Sequence, residues 1–147
     1  MALALILALY VCIGVLAARG TIALLSNRFS PKTEQILYGL VLAPIAGMYL
    51  AFTAHFSAGD AWRLEAPAVV LFVALGLLGT RLLIPLILGY ALHGAWDLYH
   101  EIVQAGLALS DPGALTRIPL AYGAFCLAFD WYMAGYFYAR RHHWSAG

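Results

Sequence analysis

Charge is what this sequence has least of. Of its 147 residues, 10% are charged, against about 25% in an ordinary soluble domain. Lysine and arginine together number 8, aspartate and glutamate 7, and the net charge is +1. No basic tract exists, which excludes the electrostatic footprint of a nucleic-acid-binding protein. Cysteine is scarce as well: Cys12 and Cys126 form no CxxC pair, no zinc spacing and no disulfide framework. The N-terminal apolar stretch lacks the positive lead of a cleaved signal peptide, because its nearest charge, Arg19, follows it. It is therefore expected to be retained as a first span. The sequence carries no lipidation signal, internal repeat or low-complexity segment.

What is present is apolar. Hydrophobic residues make up 64% of the chain, and the mean hydropathy is +0.85. A soluble protein of this length cannot hide so much apolar surface, since small domains leave a large share of their surface in water. The bilayer is then the expected solvent and the first partner. The fold class that follows is an all-α integral membrane protein, a single domain of five transmembrane helices in one bundle. The spans fall at about residues 2–18, 31–56, 62–80, 82–103 and 118–139.

Local chemistry sets these boundaries. The first span ends at Arg19-Gly20, and Ser30-Pro31 reads as an N-cap followed by proline at the first helical position. Ser57, Gly59 and Asp60 break the second span, and Trp62 anchors the third at an interface. A tight link at Gly79-Thr80-Arg81 makes the third and fourth spans antiparallel neighbours. Asp111-Pro112-Gly113 reads as a turn. Pro44 and Pro85 are expected to kink their spans.

Orientation follows from lysine and arginine. With the N-terminus outside, the inner side holds Arg19, Arg28, Lys32, Arg81, Arg140 and Arg141, and the outer side only Arg63 and Arg117. In a bacterial host this puts the protein in the inner membrane with its C-terminus cytoplasmic. His142 and His143 then belong to a snorkelling rim.

Against this background the fourth span stands out. It reads His93-Gly94-Ala95-Trp96-Asp97-Leu98-Tyr99-His100-Glu101. At 100° per residue, His93, Asp97, His100 and Gln104 share one face, with Tyr90 and Glu101 at its edge. The fifth span carries Asp130, on a face with the small residues Gly123 and Ala134 that admit a close neighbour. His93 lies roughly 18 Å along a helix from Arg81, and Asp130 about 15 Å from Arg140, so both sit near the middle of a core about 30 Å thick. Ionisable groups at that depth cost about 2.5–3.5 kcal/mol to insert and usually pair or line a watery cavity.

The expected site is therefore a polar pocket opening outward. His93, Asp97 and Asp130 are its catalytic residues, and His55, Tyr90, Trp96, His100 and Glu101 form a substrate or proton pathway. Burial disfavours the charged forms of acids and bases alike, so such groups exchange protons nearer neutrality. Acid–base chemistry on a hydrophobic lipid or isoprenoid substrate is the leading expectation, with aromatic rings available to stabilise a cation. A metal-assisted version would use His93, Asp97, His100 and Glu101, although the sequence requires no cofactor and this spacing is not the H-E-x-x-H zinc helix. The alternatives are a proton-conducting element, a non-catalytic subunit of a larger complex or homo-oligomer, and a buried His93–Asp130 pair that only fixes packing.

The segment from His93 to Glu101, with the aspartate-containing run over residues 126–137, resembles an uncharacterised family of small bacterial multi-span membrane proteins. That resemblance covers most of the chain. It implies the fold and the choice of site residues, and it implies no reaction.

Overall fold

Glycine and proline punctuate the chain, and helices fill the intervals. The computed structural model describes residues 1–56, 59–107 and 114–142. Among them the regular structure is helical and contains no strand: α1 (Ala2–Ser26), α2 (Pro31–Phe56), a 3-10 turn (Gly59–Ala61), α3 (Trp62–Gly79), α4 (Leu83–Gln104) and α5 (Tyr122–Ala139). The chain is all-α. Three stretches, Ala2–Ser26, Pro31–Phe56 and Gly59–Gly79, are long and apolar enough to cross a membrane. The expected turn at Asp111-Pro112-Gly113, the breaker Ser57 and the rim residue His143 lie outside the described residues.

The α2 start follows the sequence signal closely. Ser30 Oγ accepts the Thr33 backbone N–H at 3.3 Å, and its carbonyl accepts the Glu34 N–H at 2.9 Å, an N-cap ahead of proline. Other boundaries differ. α1 runs on through Arg19-Gly20 to Ser26. A single interior glycine costs only about 1 kcal/mol relative to alanine, too little to end the helix there; the Thr21 hydroxyl beyond it bonds the Ala17 carbonyl at 2.9 Å.

α5 begins at Tyr122 rather than near Ile118. Pro119 drives the residue before it away from helical angles, and Ala121 takes a left-handed φ of 62° immediately before the helix. Pro85 does not break α4, because it lies in the first turn, where its missing N–H has no helical partner to lose. Pro44 sits inside α2, which continues past it.

Neighbours in space are α2 with α3, α3 with α4, α4 with α5, and α1 with α5. The short link after Gly79 gives the expected α3–α4 hairpin. Its free carbonyls are met by α2: Gln35 Nε2 donates to Gly79 O at 2.8 Å and Lys32 Nζ to Thr80 O at 3.1 Å. Between α2 and α3 the backbones nearly touch, since a Cβ added at Gly76 would lie 2.6 Å from Gly39 O. One apolar cluster gathers Ala18, Tyr38, Leu42, Leu86, Tyr90, Met133 and Phe137. A second gathers Ala46, Tyr49, Val69, Phe72 and Ile118.

Gly76→Val forces these helices apart and is expected to cost about 1–3 kcal/mol, the range for overpacking. Thermal unfolding in detergent should report it. Gly20→Ala, whose methyl meets open space, should hold or raise the midpoint.

Candidate functional site

α4 presents three of its polar side chains inward. His93, Asp97 and His100 are each 0% exposed, which is what residues three and four apart on one helical face produce. Asp130 reaches them from α5 and is 1% exposed. Glycine makes this approach feasible. A Cβ at Gly94 would stand 2.9 Å from Trp131 Cδ1 and 3.1 Å from Asp130 Cβ, and one at Gly123 would meet Glu101 Cβ at 2.9 Å.

His93 is the centre. Its Nδ1 lies 2.7 Å from Asp130 Oδ2 and 3.0 Å from Asp97 Oδ2. The other Asp97 oxygen, Oδ1, accepts the Tyr49 hydroxyl. One N–H cannot serve two carboxylates fully, so either a further proton resides on an acid or one contact is purely electrostatic. Phe72 and Tyr49 cover the imidazole edge-on, with ring centroids 4.9 and 6.0 Å away. His93 Nε2, Asp97 Oδ2 and Asp130 Oδ1 have no hydrogen-bond partner among the described residues, so the approach of Asp97 to the ring is a contact of charge. The expected pocket is closed here, and the three side chains are sealed in protein.

A second polar group lies one turn along α4. His100 Nε2 is 2.8 Å from Glu65 Oε1, and its Nδ1 is 3.0 Å from the Trp96 carbonyl. Both ring nitrogens thus face acceptors, so two donors are needed, from the ring or from the Glu65 carboxyl. Glu65 is 0% exposed. It also accepts the Trp96 indole N–H at 3.4 Å and the Thr116 backbone N–H at 2.9 Å. The Tyr49 ring joins the two groups, since its centroid lies 4.6 Å from that of His100.

Several expected site residues serve elsewhere. His55 is exposed and packs on Phe56, with ring centroids 4.5 Å apart. Tyr90 is buried, and its hydroxyl donates to the Tyr38 carbonyl at 3.0 Å, inside the apolar cluster. Glu101 accepts the Gly123 N–H at 3.1 Å; it caps α5, whose first turn has donors that helical bonding leaves free. Gln104 is exposed and pairs through its amide with both the N–H and the carbonyl of Ile118, at 3.0 and 3.2 Å.

The proposed ligand set His93, Asp97, His100 and Glu101 therefore does not converge. The group that does is His93, Asp97 and Asp130, with one potential ligand atom each, all within 4.8 Å of one another. A metal-bound histidine ordinarily donates its second N–H to a neighbouring acceptor, and His93 Nε2 has none among the described residues. The 2.7 Å contact is that of a charge-assisted hydrogen bond.

Glu65 was missed because its sequence neighbourhood, between Arg63 and Ala66 at the start of a helix, reads as a solvated first turn. Tyr49 was missed because nothing local separates it from an interfacial tyrosine.

Glu65→Ala strips an acceptor from His100, Trp96 and Thr116 together. It is expected to destabilise the protein by roughly 3–5 kcal/mol, as when one partner of a buried pair is removed. Glu101→Ala removes a helix cap and should cost about 1 kcal/mol. Equal losses in detergent unfolding of the two variants would contradict this order.

No curated protein and no solved structure matches the chain. A family described as being of unknown function, DUF6010, matches residues 9–143, nearly the full length. The chain belongs to the DUF6010 family.

Proposed function

We propose that this is an integral membrane protein that moves protons within the bilayer through His93, Asp97 and Asp130. In this reading all five helices cross a bacterial inner membrane, the N-terminus lies outside and the C-terminus is cytoplasmic. The lysine and arginine bias supports that orientation. The depth of the site supports it too. His93 is ten residues into α4 and Asp130 nine residues from the end of α5, about 15 and 14 Å along helices rising 1.5 Å per residue.

The observation that carries the proposal is one imidazole nitrogen, His93 Nδ1, within 2.7 and 3.0 Å of two sealed carboxylates. Such a group passes a proton between oxygen and nitrogen over hydrogen-bond distances, with little motion and no change of redox state. A proton arriving at Nε2, on the opposite side of the ring, makes the imidazolium; its Nδ1 then gives a proton to the carboxylate of Asp130 or Asp97 and leaves a neutral ring protonated at Nε2. Tyr49, His100 and Glu65 extend the row toward the end of the molecule where the 3-10 turn precedes α3. Intramembrane ionisable residues in such rows are characteristic of proton relays. The complete burial of the triad favours a relay over a site that must admit a bulky substrate.

Purified protein in liposomes, with a pH-sensitive dye inside and a potassium diffusion potential imposed, should carry protons faster than protein-free vesicles. Asp130→Asn and His93→Phe should lower that flux about a hundredfold, the lower end of what a positioned proton-transfer group contributes. Wild-type flux at the vesicle background, or variants conducting as well as wild type, would overturn the proposal.

A second reading, acid–base catalysis on a hydrophobic isoprenoid-like substrate, is favoured by one observation. His93 Nε2, Asp97 Oδ2 and Asp130 Oδ1 lack hydrogen-bond partners among the described residues, and polar groups of a substrate would satisfy them. Isoprenoid lipids incubated with the protein in deuterated water should then gain deuterium at carbon, detected by mass spectrometry, and Asp130→Asn should abolish the gain.

A further inference from the structure

α1 and α5 leave a groove of about 660 Å³ between them, lined by Arg19, Ile22, Trp131, Tyr132, Gly135 and Tyr136 among others. Its chemistry is uneven. Apolar and aromatic side chains form most of the wall, and Arg19 supplies a full positive charge. Arg19 makes no hydrogen bond or ion pair among the described residues. The other charges nearby are already matched: the Tyr136 hydroxyl donates to Glu34 Oε1 at 2.5 Å and accepts from Arg140 Nη1 at 2.7 Å.

Position sharpens the asymmetry. Because α1 continues to Ser26, Arg19 lies seven residues inside its end, roughly 10 Å along the axis. A guanidinium there must reach back to the surface or meet an anion. Tryptophan and tyrosine are the residue types that sit at the level of lipid headgroups. The groove floor is open, since a Cβ added at Gly135 would find nothing within 4 Å.

We infer that this groove binds an anionic phospholipid. Its phosphate pairs with Arg19, whose planar fork suits two phosphate oxygens at once, and an acyl chain lies along Ile22, Ala23 and the aromatic wall of α5. The site requires the chain to lie in a bilayer and is independent of proton transfer, so a failed flux measurement leaves it standing.

Native mass spectrometry in mild detergent tests it, with phosphatidylglycerol and phosphatidylcholine of identical chains as probes. The wild type should retain one phosphatidylglycerol in preference to phosphatidylcholine. Arg19→Gln should weaken that retention about fivefold, the loss expected for one basic contact to an anionic lipid. Gly135→Leu, which fills the open floor, should remove the adduct while the unfolding temperature is kept; should that variant not fold, Arg19→Gln decides alone. Equal retention of the two lipids, unchanged retention in Arg19→Gln, or a dimer that dissociates on Gly135→Leu would overturn the inference, the last by making a second copy the occupant.

Discussion

The bond from His93 to Asp130 is the constraint to which the neighbouring structure answers. Two groups that prefer water are held together in a buried position, and the desolvation of each must be offset by its partner's field and by good geometry. A contact of 2.7 Å across two helices demands that their backbones come close. Gly94 and Gly123 permit this, because any side chain at either position would strike the opposite helix. The close approach then leaves the α5 start tucked against α4, where Glu101 meets its free N–H. The choice of glycines, the helix cap and the register between α4 and α5 all follow from that one bond.

The polar interior is arranged as two groups joined by an aromatic ring. In the first, an imidazole stands between two carboxylates; in the second, a carboxylate gathers an imidazole, an indole and a backbone amide. Tyr49 belongs to both, by its hydroxyl to Asp97 and by its ring to His100. A buried ionic network of this kind adds little net stability compared with hydrocarbon of equal volume.

Much of this was legible before any coordinates. The shared face of His93, Asp97 and His100 follows from helical periodicity, and Gly123 opposite α4 follows from small-residue packing. Asp130 at the level of His93 follows from counting residues against the helical rise. What escaped detection depended on long-range pairing. Glu65 lies 35 residues from His100 and Tyr49 lies 48 from Asp97, and no local pattern distinguishes either from a surface acid or an interfacial ring. Glu101 and Gln104 carry the same lesson in reverse. Their spacing suggests chemistry, but Glu101 caps the first turn of α5 and Gln104 completes the hydrogen bonds of Ile118, in the segment that Pro119 keeps out of helix. Local propensity also misplaced the end of α1, where one arginine and one glycine were too weak to stop a helix flanked by good formers.

The partnership of α1 with α5 has a consequence in time. α1 packs on α5 through a seam where Gly14 and Ala18 are its buried residues and where a Cβ at Gly14 would stand 3.1 Å from Ala128 Cβ. During synthesis that seam faces whatever surrounds it until α5 emerges more than a hundred residues later. The long interval is tolerable because the seam is small and apolar.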